Sequence, residues 1–147
     1  MGKMIDSASA EIAAPLARCY ELAADVDTIA DWQDGVVGVE VLERDGEGRA
    51  LVAEIATDAK VRTIKSRVRF SYDEPNGLSW KQEKGELKSL EGSWSFTESG
   101  GATTATYTLE IDPGRMLGML LRGPVEGRVR ELMVTARPEQ LKRHAER

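Results

Sequence analysis

The chain has 147 residues, 31% of them charged, and a formal net charge of -5. This length suits a single domain, residues 1–147, that buries roughly two thirds of its unfolded surface. The acidic balance disfavours a nucleic-acid binder, because proteins that follow a phosphate backbone need a concentrated basic surface.

Cysteine content and hydropathy favour a cytoplasmic protein. Cys19 has no partner for an internal disulfide, and the first residues lack the apolar core of a secretory signal. The uncharged apolar run 116–121 is far shorter than the ~20 residues that cross a bilayer, so we expect no stable membrane insertion.

The first elements are a strand and two short helices. Residues Met4 to Ala13 alternate weakly, with Ala8, Ala10 and Ile12 on one face. Pro15 then opens a helix with an apolar stripe formed by Leu16, Cys19, Tyr20 and Ala23. A second short helix is predicted from Val26 to Trp32, with Asp25 or Asp27 as its cap.

Six strand-like runs follow between Val36 and Ile111. They are separated by five turns with the chemistry of tight reversals: Asp45-Gly46-Glu47-Gly48, Asp58-Ala59-Lys60, Glu74-Pro75-Asn76-Gly77, Lys84-Gly85-Glu86 and Ser99-Gly100-Gly101. These short connections leave no room for the crossover helix of a parallel pair. The sequence therefore predicts an antiparallel meander.

One face of each run is apolar. The predicted inward residues are Val37, Val39, Val41, Leu51, Ala53, Ile55, Ile64, Val68, Phe70, Tyr72, Leu78, Trp80, Leu90, Trp94, Phe96, Ala105, Tyr107, Leu109 and Ile111. A two-residue hairpin at Gly100-Gly101 would pair Trp94 with Tyr107 and Gly92 with Leu109, and Gly92 would mark a bend.

The last segment is helical with two interruptions. Asp112-Pro113 can start a short helix through Leu121, and Gly123-Pro124 breaks it. Beyond the break an apolar stripe is formed by Val125, Val129, Leu132, Met133 and Ala136. Pro138 predicts a further kink, with Arg137 pushed out of helical geometry.

This order predicts an α+β fold with a pocket. An antiparallel sheet must bury one face, and the only sizeable element left to cover it is the C-terminal helix. A curved sheet around one helix tends to leave a hollow, which favours a protein that binds an apolar ligand.

The element order, the run Ala10-Glu11-Ile12-Ala13-Ala14-Pro15, Trp32 before the meander and the strand at 36–44 resemble the START-like polyketide cyclase/dehydrase and lipid transport superfamily (SRPBCC). The resemblance implies a helix-grip fold, in which a seven-stranded curved antiparallel sheet wraps a long C-terminal helix around an elongated apolar cavity. Its members include carriers of lipids and quinones, polyketide aromatase/cyclases and interaction modules.

Few residues suggest catalysis, and we predict no catalytic residue, metal site or cofactor. His144 lies in a charged tail and is expected to be solvated, and Cys19 is expected in the core. The acidic residues between Asp25 and Asp34 lack the ligand spacing of a calcium loop. Lys60, Arg62, Lys65, Arg67 and Arg69 form a basic cluster, which we interpret as a solvated strand face, although the parity of Arg62 with Ile64 allows it to point inward.

The predicted ligand-binding residues are aromatic or soft apolar groups: Trp32, Tyr72, Trp80, Trp94, Phe96, Tyr107, Met116, Met119, Leu120, Val129 and Met133. Tyr72, Tyr107, Gln82 and Ser66 could supply polar contacts.

Three hypotheses follow for function, each for a monomer or homodimer. The first is binding or carriage of a small apolar ligand. The second is an aromatase/cyclase in which Tyr107, Tyr72 or Arg62 polarises a carbonyl or enolate. The third is a protein-interaction module that uses the basic cluster.

Overall fold

The computed structural model describes residues 3–59, 62–120 and 124–147. Seven strands form one sheet: β1 (Met4–Ile12), β2 (Val36–Arg44), β3 (Ala50–Asp58), β4 (Thr63–Asp73), β5 (Gly77–Gly85), β6 (Ser89–Ser99) and β7 (Ala102–Asp112). Their order is β1-β7-β6-β5-β4-β3-β2, and every neighbouring pair is antiparallel. The predicted meander is confirmed, and β1 closes the sheet beside β7.

The β6–β7 hairpin has the predicted register. Gly100 and Gly101 adopt φ values of 60° and 84°, a left-handed geometry that glycine tolerates without strain. Trp94 pairs with Tyr107, and Gly92 pairs with Leu109. No register shift occurs at Gly92.

A bulge in β2 reverses the predicted orientation of one side chain. The register between β2 and β3 shifts between Val36 and Gly38, so Val36 is buried while Val37 is 61% exposed. The prediction that Val37 points inward was wrong, because an extra residue at a bulge reverses the alternation of side chains. Val39 and Val41, beyond the bulge, are half-buried as predicted.

Two short helices follow β1, as predicted. Helix α1 (Leu16–Ala24) buries Cys19, Tyr20 and Ala23, and a 3₁₀ helix covers Val26–Asp31. No side chain caps the 3₁₀ helix. The carboxylate of Asp27 instead accepts two hydrogen bonds from Arg44, at 2.8 and 3.0 Å, and these bonds lower the pKa of Asp27.

The C-terminal region contains three helices and a π-helical turn. Helix α2 (Gly114–Leu120) begins where the Asp112 carboxylate accepts a hydrogen bond from the Gly114 N–H at 3.0 Å. Helix α3 (Pro124–Arg130) leads into the π turn Glu131–Thr135 and then α4 (Arg137–Ala145). The predicted break at Gly123 and the helix end at Leu121 lie outside the described residues.

The π turn replaces the predicted kink at Pro138. The Ala136 N–H donates to the Glu131 carbonyl at 3.0 Å, which inserts one extra residue into the turn. Pro138 then falls in the first turn of α4, where its missing N–H costs little. The prediction that Arg137 leaves helical geometry was therefore wrong.

The segment 124–145, here called the C-terminal helix, packs against β1 and β7. Its buried side chains include Val129, Met133, Val134 and Leu141. Polar contacts fix its far end: the Lys142 Nζ donates to the Glu11 carbonyl at 2.9 Å, and the Glu146 carboxylate accepts from the Ala13 N–H at 2.8 Å. The sheet and this helix thereby form the two walls of the molecule's interior.

Candidate functional site

A pocket of about 80 Å³ lies between the concave face of the sheet, the first two helices and the C-terminal helix. Its lining is formed by Ala23, Val26, Ile29, Gln33, Val36, Ile55, Thr57, Ile64, Ser66, Val68, Phe70, Leu78, Trp80, Leu87, Leu90, Trp94, Tyr107, Leu109, Met133 and Arg137. No aspartate or glutamate is among the described residues that line it. At about 10–15 Å³ for each water-sized group, the pocket has room for on the order of six such groups.

Three aromatic rings form one wall of the pocket. The ring centroids of Trp94 and Tyr107 lie 4.8 Å apart in an edge-to-face arrangement, and those of Trp80 and Tyr107 lie 5.6 Å apart. Phe70 extends the wall, with its centroid 6.1 Å from that of Trp80. Packed rings of this kind move little, so the wall presents a preformed apolar surface.

Gly92 allows the Trp80 ring to lie close to the backbone of β6. A Cβ atom at position 92 would lie 2.4 Å from Cε2 of the Trp80 ring, far inside van der Waals contact. The bend predicted at Gly92 is therefore a site of close approach, without a bulge.

Arg137 is the charged residue of the pocket. Its side chain enters from the first turn of α4, and the residue is only 3% exposed. Nη1 donates to the Asp34 carbonyl at 2.7 Å and to Gln140 Oε1 at 3.0 Å, whereas the buried Nε has no hydrogen-bond partner among residues 3–59, 62–120 and 124–147. Among the described residues no carboxylate forms an ion pair with it.

Tyr107 lies beside this guanidinium. Burial raises the pKa of Tyr107, and the charge of Arg137 and a hydrogen bond from it offset only part of that rise. Since a free tyrosine already titrates near pH 10, Tyr107 is a neutral phenol at physiological pH.

A second polar group lies on β4. The Ser66 hydroxyl donates to Gln82 Oε1 at 2.8 Å, and Gln82 Nε2 donates to the Leu87 carbonyl at 2.9 Å. Because its hydrogen is used in this bond, the Ser66 oxygen offers only acceptor capacity to the pocket.

The structure places four of the predicted ligand-binding residues in the pocket lining: Trp80, Trp94, Tyr107 and Met133. Val129 lines a neighbouring pocket of about 100 Å³, which shares Met133 with the first.

The other predicted residues lie elsewhere. Phe96 stacks on Trp94 at 5.8 Å and Trp32 tilts against Trp94 at 6.2 Å, both outside the lining. The Tyr72 hydroxyl donates to the Ala50 carbonyl at 2.6 Å and is thereby occupied. Met119 is 66% exposed. The side chains of Met116, Leu120 and Val125 lie outside the described part of the chain.

Sequence reasoning missed Arg137 as a pocket residue, although a signal was present. Val129, Met133 and Arg137 follow one another at intervals of four, so the arginine continues the apolar stripe of the C-terminal helix. An arginine directly before a proline is also typical of a helix end, and that signal is the stronger one in the sequence. In the structure Arg137 lies in the first turn of α4 and is buried, as the stripe indicates.

The structure corrects the prediction for one surface residue, His144, and decides between the two orientations considered for Arg62. His144 is only half-exposed and stacks on Trp32, with ring centroids 5.9 Å apart, which corrects the prediction of a solvated histidine. Arg62 is exposed and pairs with Glu86, so its side chain does not point inward.

Three arginines of the basic cluster have acidic partners within the sheet. Arg69 pairs with Glu83 at 2.8 Å, and Arg67 approaches Glu54 at 3.9 Å. Lys60 lies outside the described residues. These pairs reduce the positive charge that the three arginines offer to an acidic partner.

A curved antiparallel sheet, two short helices after the first strand and a long C-terminal helix define a helix-grip domain of the START type. The sequence profile of the polyketide cyclase/dehydrase and lipid transport family matches residues 12–136, and the chain belongs to this family. Its members bind small ligands or act as cyclases. A comparison with curated protein sequences finds no match.

Solved structures share the fold along nearly the whole chain. A START superfamily protein from Mycobacterium smegmatis is 17% identical with a TM-score of 0.80, covering 99% of this chain and 98% of the other. The Zhui aromatase/cyclase from Streptomyces sp. R1128 is 21% identical with a TM-score of 0.81, covering 99% and 95%. A protein from Thermus thermophilus is 22% identical with a TM-score of 0.79, covering 97% of each chain. None of the described helices is long and apolar enough to cross a bilayer.

Proposed function

We propose that the protein binds and carries a small apolar molecule in the pocket between its sheet and its C-terminal helix. The observation that carries this proposal is the preformed aromatic wall of Trp80, Trp94 and Tyr107, which faces an interior space instead of a filled core. Apolar concave sites with a few oriented polar groups are the usual form of a small-molecule site. We further propose that it acts in the cytoplasm, as a monomer or homodimer.

The neighbouring pocket offers additional space, so the protein can accept a ligand longer than the first pocket alone holds. Ile64, Leu87 and Met133 line both spaces, so these three side chains form the partition between them. A methionine has three rotatable side-chain bonds, and a rotamer change at Met133 can join the two spaces at low cost.

Native mass spectrometry of the freshly purified protein tests the proposal directly. We expect a co-purified apolar molecule, or a rise in Tm with members of an apolar library, because a ligand that binds only the folded state stabilises it. A protein that is free of ligand and gains no thermal stability from such a library contradicts the proposal.

A pocket-filling substitution provides the matched control. Ile55 lines the pocket and Leu42 is 39% exposed on β2, so Ile55→Trp fills the space while Leu42→Trp adds the same ring at the surface. We expect Ile55→Trp alone to abolish ligand binding. Equal loss in both variants would show that the pocket is not the binding site.

Arg137 and Tyr107 together favour a second candidate, an aromatase/cyclase. Both line one pocket, and a guanidinium beside a neutral phenol can stabilise an enolate oxygen through charge and hydrogen bonding. This candidate does not use Tyr72 or Arg62. The Tyr72 hydroxyl donates to a backbone carbonyl, and the Arg62 side chain is exposed. Loss of cyclised product from a poly-β-ketone thioester on Tyr107→Phe, with binding retained, is the expected result, and full activity of that variant refutes it.

A further inference from the structure

The charge of Arg137 is buried without an acidic partner in the described part of the chain. The residue is 3% exposed, and no ion pair among the described residues includes it. A guanidinium does not lose its proton in proteins, so it cannot escape the cost of burial by becoming neutral. Buried charges are normally paired with an opposite charge, and the residues that the structure describes supply none to this one.

The groups around Arg137 do not supply the missing negative charge. Residue Asp34 contributes its backbone carbonyl, while the residue itself is exposed. Gln140 contributes a neutral amide oxygen, and Tyr107 is a neutral phenol. The pocket lining contains no acidic residue among those described.

Only the Nη1 atom of the guanidinium has hydrogen bonds that indicate a structural role. Both bonds of Nη1 go to Asp34 and Gln140, and they hold the start of α4 against the chain that follows the 3₁₀ helix. The buried Nε has no hydrogen-bond partner in the part of the chain that the structure describes. Nε and Nη2 form the edge of a guanidinium that two carboxylate oxygens fit in parallel hydrogen bonds, and a ligand carboxylate there would replace the contact with the Tyr107 hydroxyl.

We propose that Arg137 binds the carboxylate of the ligand, so that the natural ligand class is small organic acids with an apolar body. This inference rests on the proposed function of the pocket and names the chemical class that it takes. The aromatic wall contacts the apolar body, and the Ser66 oxygen can accept a hydrogen bond from a hydroxyl on it.

A matched pair of probes tests the inference on the wild-type protein. Hydrocinnamic acid and hydrocinnamyl alcohol share an apolar body and differ in the terminal group, and both are longer than the first pocket alone accepts, so their binding uses the space that a rotamer change at Met133 joins to it. Trp80 and Trp94 line the pocket, so quenching of intrinsic tryptophan fluorescence reports binding of either probe. We expect the acid to bind at least about tenfold more tightly than the alcohol, the preference that a charged hydrogen-bonded contact confers.

Substitution of the arginine then assigns the preference to one side chain. In Arg137→Gln the acid should lose its about tenfold advantage while the alcohol keeps its affinity. Arg143→Gln is the matched control, because Arg143 is an exposed residue of the same helix. Circular dichroism checks that each variant is folded, and the methyl ester of the acid removes the probe's charge without any substitution.

The outcomes separate the two proposals. Equal binding of acid, ester and alcohol to the wild type overturns the role of Arg137 and leaves the pocket function standing. An acid preference that survives Arg137→Gln also overturns it. Binding of neither probe, together with the absence of a co-purified ligand, overturns both. Should Arg137→Gln fail to fold, the wild-type comparison of acid with ester decides the question.

Discussion

Replacing Gly92 with alanine should destabilise the protein and disturb the aromatic wall. The new Cβ would lie 2.4 Å from Cε2 and 2.5 Å from Cζ2 of the Trp80 ring. That ring is held on its other sides by Tyr107 at 5.6 Å and Phe70 at 6.1 Å, so it has little space to move except towards the pocket.

The size of the effect follows from two opposing terms. Overpacking a well-filled region costs about 1–3 kcal/mol. Alanine recovers about 0.5–1 kcal/mol of the backbone entropy that glycine loses in a strand. We therefore expect a net loss of about 1–2 kcal/mol, which at about 2–4 °C per kcal/mol lowers Tm by about 2–8 °C.

Gly38 provides a matched control on β2. A Cβ at that position would make an ordinary contact of 3.6 Å with the Ala56 Cβ, so Gly38→Ala should be neutral or stabilising by up to about 1 kcal/mol. Thermal and urea denaturation measure both variants, and tryptophan emission reports movement of the Trp80 ring. If Gly92→Ala is as stable as Gly38→Ala and its emission is unchanged, the close approach of ring and strand is refuted.

Three further predictions test the interior. Burial raises the pKa of the Cys19 thiol, so labelling with a thiol reagent should be slow in the native protein and fast after unfolding; rapid native labelling would contradict its burial. Thr103→Val removes the hydrogen bond of 2.8 Å to the Ala14 carbonyl and should cost about 1–3 kcal/mol in urea denaturation, because a buried acceptor loses its partner. Burial raises the pKa of Tyr72 from 10.0 to about 12. The unfolded chain therefore releases the phenol proton at a lower pH than the folded protein does. The stability that the neutral, buried phenol contributes is fully present below pH 10 and is lost as the pH rises towards 12. Absorbance titration of wild type against Tyr72→Phe measures this step, and a tyrosine titrating near pH 10 that disappears in the variant would refute it.

The strands and the register of the β6–β7 hairpin could be predicted from the sequence because both depend on local chemistry. Gly100-Gly101 selects a two-residue hairpin, and that alone sets Trp94 opposite Tyr107. Alternation of side chains then assigns the buried face wherever pairing is regular. The prediction failed at Val37, because a bulge depends on how two strands fit together and leaves no mark on the alternation itself.

The candidate site was only partly predictable. Trp80, Trp94 and Tyr107 lie on the apolar face of three adjacent strands, so their convergence follows from the meander. Tyr72 and Phe96 have the same parity, yet neither lines the pocket. The alternation of side chains along a strand predicts which face of the sheet each one lies on. Its position along the strand, relative to the covering helix, decides whether it reaches the cavity.

The sequence by itself determined the order of elements, the antiparallel pairing of consecutive strands and the apolar face that the C-terminal helix covers. These features depend on turn chemistry and on the periods of strands and helices, which short stretches of chain carry. Only the tertiary structure decided that β1 pairs with β7 and that Arg137 is buried without a carboxylate partner among the described residues. Both depend on contacts between residues far apart in the chain.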